Sequence, residues 1–90
     1  MNYVFTQTAY QQLMKWIQND RKIVRKIDEL VKDIQRNGPD TGIGKPEALK
    51  YLGAWSRRIN HEHRLIYRMN ENKDVVILSC CGHYTEKNLD

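Results

Sequence analysis

Four residues in the second half of this 90-residue chain have side chains suited to cutting a phosphodiester without a metal: Glu47, Arg58, Arg64 and His83, the last followed by Tyr84. Cleavage of RNA by side chains alone needs a base for the 2′-hydroxyl proton, cations for the five-coordinate phosphate and an acid for the departing 5′-oxygen. A carboxylate, guanidinium groups and an imidazole match those tasks in kind. Each also has an ordinary reading. Glu47 and Lys50 could form a surface pair worth about 0.3–0.5 kcal/mol, Arg64 could be a plain sheet-face arginine, and His83 a solvated histidine. Cys80, Cys81 and His83 invite a zinc reading, but adjacent cysteines on a strand point to opposite faces and no further ligand pair is present. His61 and His63 flank Glu62 in a turn and read as surface histidines rather than a ligand set.

The elements that must hold these groups follow from pattern. Tyr3 to Phe5 is a short β-prone run, and Thr8 with Gln11 has the spacing of a capping box opening a helix. Tyr10, Leu13, Met14 and Ile17 recur at helical spacing until Asn19 and Asp20, which offer a cap for a second helix. Ile23, Ile27, Leu30, Val31 and Ile34 form the apolar stripe of that helix, and Asn37, Gly38 and Pro39 end it. From Pro39 to Gly53 a long irregular connection is expected, with Glu47 and Lys50 on one face of a short helical turn after Pro46. Three strands complete the chain: Trp55 to Asn60, Arg64 to Met69 and Val75 to Cys81. Alternation in the second puts Arg64 and Arg68 opposite Leu65 and Tyr67, so Arg58 and Arg64 can share a solvent-facing side. Arg57 falls on the apolar side, where an edge position would let its head reach water. Trp16, Trp55 and Tyr67 read as core or interface aromatics.

A chain that is 40% hydrophobic at this length supports one compact core, so residues 1–90 are expected to form a single domain. Fifteen Lys and Arg against 11 Asp and Glu give a formal charge of +4, which favours polyanionic or acidic partners. No apolar run is long enough for a membrane span, and the N-terminus lacks the basic and apolar regions of a secretory signal, so a cytoplasmic location is expected. The neighbouring Cys80 and Cys81 are expected to be reduced thiols.

The segments Asp20-Arg-Lys-Ile-Val-Arg-Lys-Ile27, Gly44-Lys-Pro-Glu-Ala-Leu-Lys50, Trp55-Ser-Arg-Arg-Ile59, Glu62-His-Arg-Leu-Ile-Tyr67 and His83-Tyr84, in this order and spacing, resemble the successive motifs of the YoeB/Txe toxins of the RelE/ParE superfamily. The resemblance implies an α+β fold of the RelE type, βααβββ, with two N-terminal helices on a small, mainly antiparallel four-stranded sheet. It implies a ribosome-dependent endoribonuclease that cuts mRNA in the A site without a cofactor, and a homodimer neutralised by a YefM/Axe-type antitoxin, with operator DNA contacted through that complex. Residue by residue it implies Glu47 as general base, Arg64 as the main transition-state cation, His83 as general acid and Tyr84 as the aromatic that orients substrate. Lys50 and Arg58 match positions that assist phosphate binding, and Glu62 an acidic position beside the active-site arginine. Two features depart from the pattern: Cys81 stands where many relatives carry a basic residue, and residues 85–90 extend beyond the His-Tyr pair. A non-catalytic relative, binding ribosomal RNA or acting as a co-repressor with its antitoxin, is the alternative.

Overall fold

The computed structural model describes residues 2–82. Strand β1 (Tyr3–Phe5) leads into helices α1 (Gln7–Asn19) and α2 (Arg21–Asn37), followed by strands β2 (Glu47–Leu49), β3 (Ala54–Arg58), β4 (Arg64–Met69) and β5 (Val75–Ser79). The α+β architecture is the expected one, with one more strand than the expected four.

The cap of helix α1 lies two residues before the expected one. Thr6, not Thr8, caps it, accepting the Ala9 N–H on its hydroxyl at 3.2 Å while that hydroxyl donates to the Leu78 carbonyl. The reason is that Thr6 is still tied to the sheet, its N–H donating to Ile77 O at 3.0 Å, so strand and helix meet at one residue. Asp20 makes the corner between the helices: its own N–H closes α1 on Trp16 O, and its carboxylate accepts Lys22 N–H to open α2. Gly38, at φ 91, ends α2 as read from the sequence.

The sheet order is β1-β5-β4-β3-β2, parallel between β1 and β5 and antiparallel elsewhere. Both helices lie on one face. There Ile23, Ile27, Leu30, Val31 and Ile34 of α2 pack with Ala9 against Ile59, Leu65, Tyr67, Val75, Ile77 and Cys80, with Trp16 and Trp55 partly buried at the margin. The opposite face carries a small cluster, Leu49, Ala54 and Ile66 with Leu52 and Leu78, and no helix among the described residues.

Glu47 lies in a strand, which corrects the expected helical turn. Pro46 suits the start of a helix, but it equally suits the start of an edge strand, where its missing N–H costs no ladder bond. Here the Gly44 carbonyl already accepts Arg58 N–H at 2.7 Å, so the chain reaches Pro46 laid along β3 and continues as its partner.

Arg57 corrects a second expectation. Alternation does put it on the helix side, but its head does not reach water: the residue is 0% exposed. Its five N–H donors are all used. Nε donates to Tyr67 Oη at 2.9 Å, Nη1 to the Asp33 carboxylate and to Ile43 O, and Nη2 to Gly38 O and Thr41 O. Tyr67 Oη donates onward to Pro39 O, and Asp33 also accepts Ile43 N–H and the Asn37 amide. The irregular connection after α2 is thus wound around a buried guanidinium, whose desolvation is offset by a paired carboxylate and directed carbonyls. Gly42 and Gly44 allow the wrap. Both have positive φ, and an added Cβ would collide with the Asp33 carboxylate at Gly42 and stand 2.8 Å from Leu30 Cδ2 at Gly44.

Candidate functional site

The helix-free face is where the expected site residues gather. Register places Arg58 directly opposite Arg64, and Ser56 opposite both Glu47 on β2 and Ile66 on β4. Since Ser56 and Arg58 are two apart on β3, Glu47, Arg58 and Arg64 share one face. Opposed Cα atoms lie about 4.5–5.5 Å apart. Glu47 is one diagonal from Arg58, about 7–8 Å.

Like charges directly opposed across a strand pair disfavour the sheet. Among the described residues neither Arg58 nor Arg64 is in an ion pair, so the pair leaves its positive charge available to an anion. Arg58 is exposed and Arg64 partly so. Arg64 is also anchored: Nη1 donates to Asn60 O at 2.8 Å and to His63 O at 3.2 Å. The turn that supplies those carbonyls is built by Asn60, whose side chain accepts Glu62 N–H and His63 N–H.

The other expected residues are distributed unevenly. Glu62 is exposed in the turn beside Arg64, its carboxylate 3.5 Å from His63 Nε2. Lys50 is exposed in the turn after β2, three residues beyond Glu47 on the side away from Arg58, about 10 Å along the strand direction. It therefore flanks Glu47 rather than completing the arginine pair. His83, Tyr84 and the segment 85–90 lie outside the described residues. The described chain ends at Gly82, whose carbonyl accepts Arg64 N–H at 3.0 Å, so it reaches the arginine side of this face.

Two residues escaped sequence reasoning. Lys45 is brought next to Arg58 by the Gly44 to Arg58 hydrogen bond, and its φ of 52 turns the chain into β2. The sequence signal was its place between Gly44 and Pro46. His63, read as a surface histidine, is half-buried: its ring meets Trp16 edge-on with centroids 4.8 Å apart, and Nδ1 accepts Gly82 N–H at 2.9 Å. No local pattern announces either contact. Of the cysteines, Cys80 is buried, and burial, followed by the neighbouring Cys81, pushes its thiol up to about 12. Cys81 is exposed.

An open sheet face with one carboxylate beside two available guanidinium groups can hold a phosphodiester and offer it a base. The fold that carries it, two helices on one side of a small mixed sheet, is that of the RelE-type toxins. Residues 5–84 match the family model described as YoeB-like toxin of bacterial type II toxin-antitoxin system. Toxin YoeB of a Synechocystis species is 45% identical over 93% of this chain and 98% of its own. The YoeB dimer of Staphylococcus aureus superposes with a TM-score of 0.87 at 49% identity, covering 93% of this chain and 98% of that one. The YoeB of the heterotetrameric YoeB-YefM complex from the same species gives 0.85 at 50% identity, with the same coverage. This chain belongs to the YoeB-like toxins of bacterial type II toxin-antitoxin systems.

Proposed function

We propose that this toxin is an endoribonuclease that cuts mRNA in the ribosomal A site through the helix-free face of its sheet. The observation that carries the reading is the convergence of Glu47, Arg58 and Arg64 on that face. Glu47 takes the proton from the 2′-hydroxyl of the nucleotide before the cut, and the 2′-oxygen bonds to phosphorus. Arg64, oriented by the Asn60 and His63 carbonyls, and Arg58 opposite it hold the charge that accumulates on the phosphoryl oxygens. His83 gives a proton to the 5′-oxygen as its bond to phosphorus breaks. The products are a 2′,3′-cyclic phosphate, hydrolysable to a 3′-phosphate, and a 5′-hydroxyl. Lys50 and Lys45 extend the cationic surface along the RNA backbone, Glu62 lies beside the arginine, and Tyr84 orients the substrate.

Regulation follows the relatives. The Staphylococcus aureus YoeB occurs as a dimer and in a complex with YefM, and this toxin is proposed to form a homodimer and to be neutralised by an antitoxin of that kind. Its place of action is the cytoplasm, where ribosomes translate. Among the described residues no helix is long and apolar enough to cross a membrane.

Primer extension on purified ribosomes carrying mRNA tests the proposal. New RNA ends within the A-site codon are expected with wild-type toxin freed of bound metal by a chelator before it is added to the ribosomes, and none with the Glu47→Ala, His83→Ala double variant. A protein that only occupied the ribosome would stall it without creating ends. Wild-type cutting by the double variant would contradict the mechanism.

A further inference from the structure

His63 has no part in the chemistry above, yet it is built into the molecule with unusual care for a turn residue. Its side chain is 16% exposed, and its Nδ1 accepts the backbone N–H of Gly82 at 2.9 Å. The carbonyl of Gly82 accepts the backbone N–H of Arg64 at 3.0 Å. Both polar backbone groups of Gly82 are therefore tied to consecutive residues, His63 at the end of the turn and Arg64 at the start of β4. The ring itself is braced by Trp16, whose Nε1 donates to Cys80 O at 2.9 Å, so ring and C-terminal chain share one support from α1. Accepting at Nδ1 leaves the ring proton on Nε2, on the side where the Glu62 carboxylate lies at 3.5 Å. An apolar residue could pack on Trp16 equally well but could not accept the Gly82 N–H.

We propose that His63 is a positioning residue of the cleavage site: through its Nδ1 bond it holds Gly82, the residue that precedes His83 in the chain, beside Arg64. The inference rests on the ribonuclease reading of the open face. Gly82 has φ 88 and, among the described residues, nothing within 4 Å of where a Cβ would go, so beyond its carbonyl bond to Arg64 its backbone direction needs a second restraint. The tie to His63 supplies it.

The full-length toxin tests this on mRNA-programmed ribosomes in single-turnover cleavage. His63→Asn keeps an acceptor near the Nδ1 position, whereas His63→Gln moves its acceptor out toward the Nε2 position. The Gln variant is expected to lose about 10- to 100-fold in the maximal single-turnover rate with the half-saturating toxin concentration unchanged, since a displacement near 1 Å at a reacting group costs on that scale. The Asn variant should retain most of the wild-type rate. A folded Gln variant that cuts like wild type overturns the proposal, as does equal loss in both variants at unchanged melting temperature. Should the Gln variant fail to fold, imidazole nitrogen NMR of the wild type decides: an unprotonated Nδ1 coupled to the Gly82 amide supports the tie, and a protonated Nδ1 at neutral pH overturns it. If the wild-type toxin leaves mRNA uncut, the ribonuclease reading falls and this proposal with it; if only the His63 comparison fails, this proposal falls alone.

Discussion

At the scale of single residues, the chain makes opposite uses of neighbouring arginines. Arg57 is spent on structure, with every donor committed inside the protein, while Arg58, one residue on, is left to face outward with Arg64. Replacing Arg57 by Met should therefore lower stability by about 3–5 kcal/mol, because it strands the Asp33 carboxylate and the loop carbonyls away from water. Replacing Arg58 by Met should leave the denaturant midpoint nearly unchanged and weaken RNA cleavage. Chemical denaturation of the two variants separates the roles. The hydrogen bond from Arg57 holds the Asp33 carboxyl below its usual 3.8 against the opposing effect of burial, with help from the Ile43 N–H and the Asn37 amide. A carboxyl lowered in the folded state stabilises the fold above its unfolded value, and that contribution is lost as pH falls through the lowered folded value. Melting temperature should thus fall below about pH 4, and Asp33→Asn should flatten that acid limb while lowering stability at neutral pH. Asp74, lowered by the Asn2 N–H and the Asn70 amide, acts in the same direction, so the flattening will be partial. The cysteines give a separate check: alkylation of the native protein at mildly alkaline pH should modify the exposed Cys81 and spare Cys80, whose thiol is buried. Modification of both at equal rates would mean that the Cys80 packing is wrong.

At the scale of elements, legibility tracked the distance over which each element is determined. Helix α2 and strand β4 carry their reasons within themselves, an apolar stripe in one and in the other an alternation broken at Ile66, and both could be read directly. The placement of Arg64 away from Leu65 and Tyr67 was legible for the same reason. Strand β2 was not, because three residues after a proline hold no period, and it is a strand only because β3 is there to pair with it. The parallel pairing of β1 with β5 joins residues more than 70 positions apart and was equally hidden. Arg57 shows the limit most clearly: its face followed from alternation, but its partner Asp33 lies 24 residues away on α2, and the loop that wraps it has no sequence signature beyond its glycines. Those glycines are testable. Gly44→Ala places a methyl against Leu30 and the Arg58 carbonyl at φ +82. It should destabilise the fold by about 1–3 kcal/mol, and it should slow cleavage beyond that loss by displacing Glu47. A variant with wild-type melting and wild-type cleavage would show that the connection does not position β2.

At the scale of the whole molecule, the sheet divides labour between its faces. One is covered by two helices and holds the main core; the other, among the described residues, carries the small apolar cluster of Leu49, Ala54 and Ile66 beside the charged row. A net charge of +4 adds a general attraction to RNA, but charge alone would bind without cutting. In the proposed mechanism, the carboxylate one strand away from the arginine pair converts binding into cleavage by acting on a 2′-hydroxyl. The direct measurement is single-turnover cleavage on programmed ribosomes of two mRNAs, identical except that one lacks the 2′-hydroxyl immediately before the cut, by the wild-type toxin and by Glu47→Gln. The expected result is cleavage of the ribose-containing mRNA to a 2′,3′-cyclic phosphate end, a rate about 100- to 10,000-fold lower for Glu47→Gln, and no cleavage of the deoxy-substituted mRNA by either. Cleavage of the deoxy-substituted mRNA at the same site, or an undiminished rate for Glu47→Gln, would contradict it.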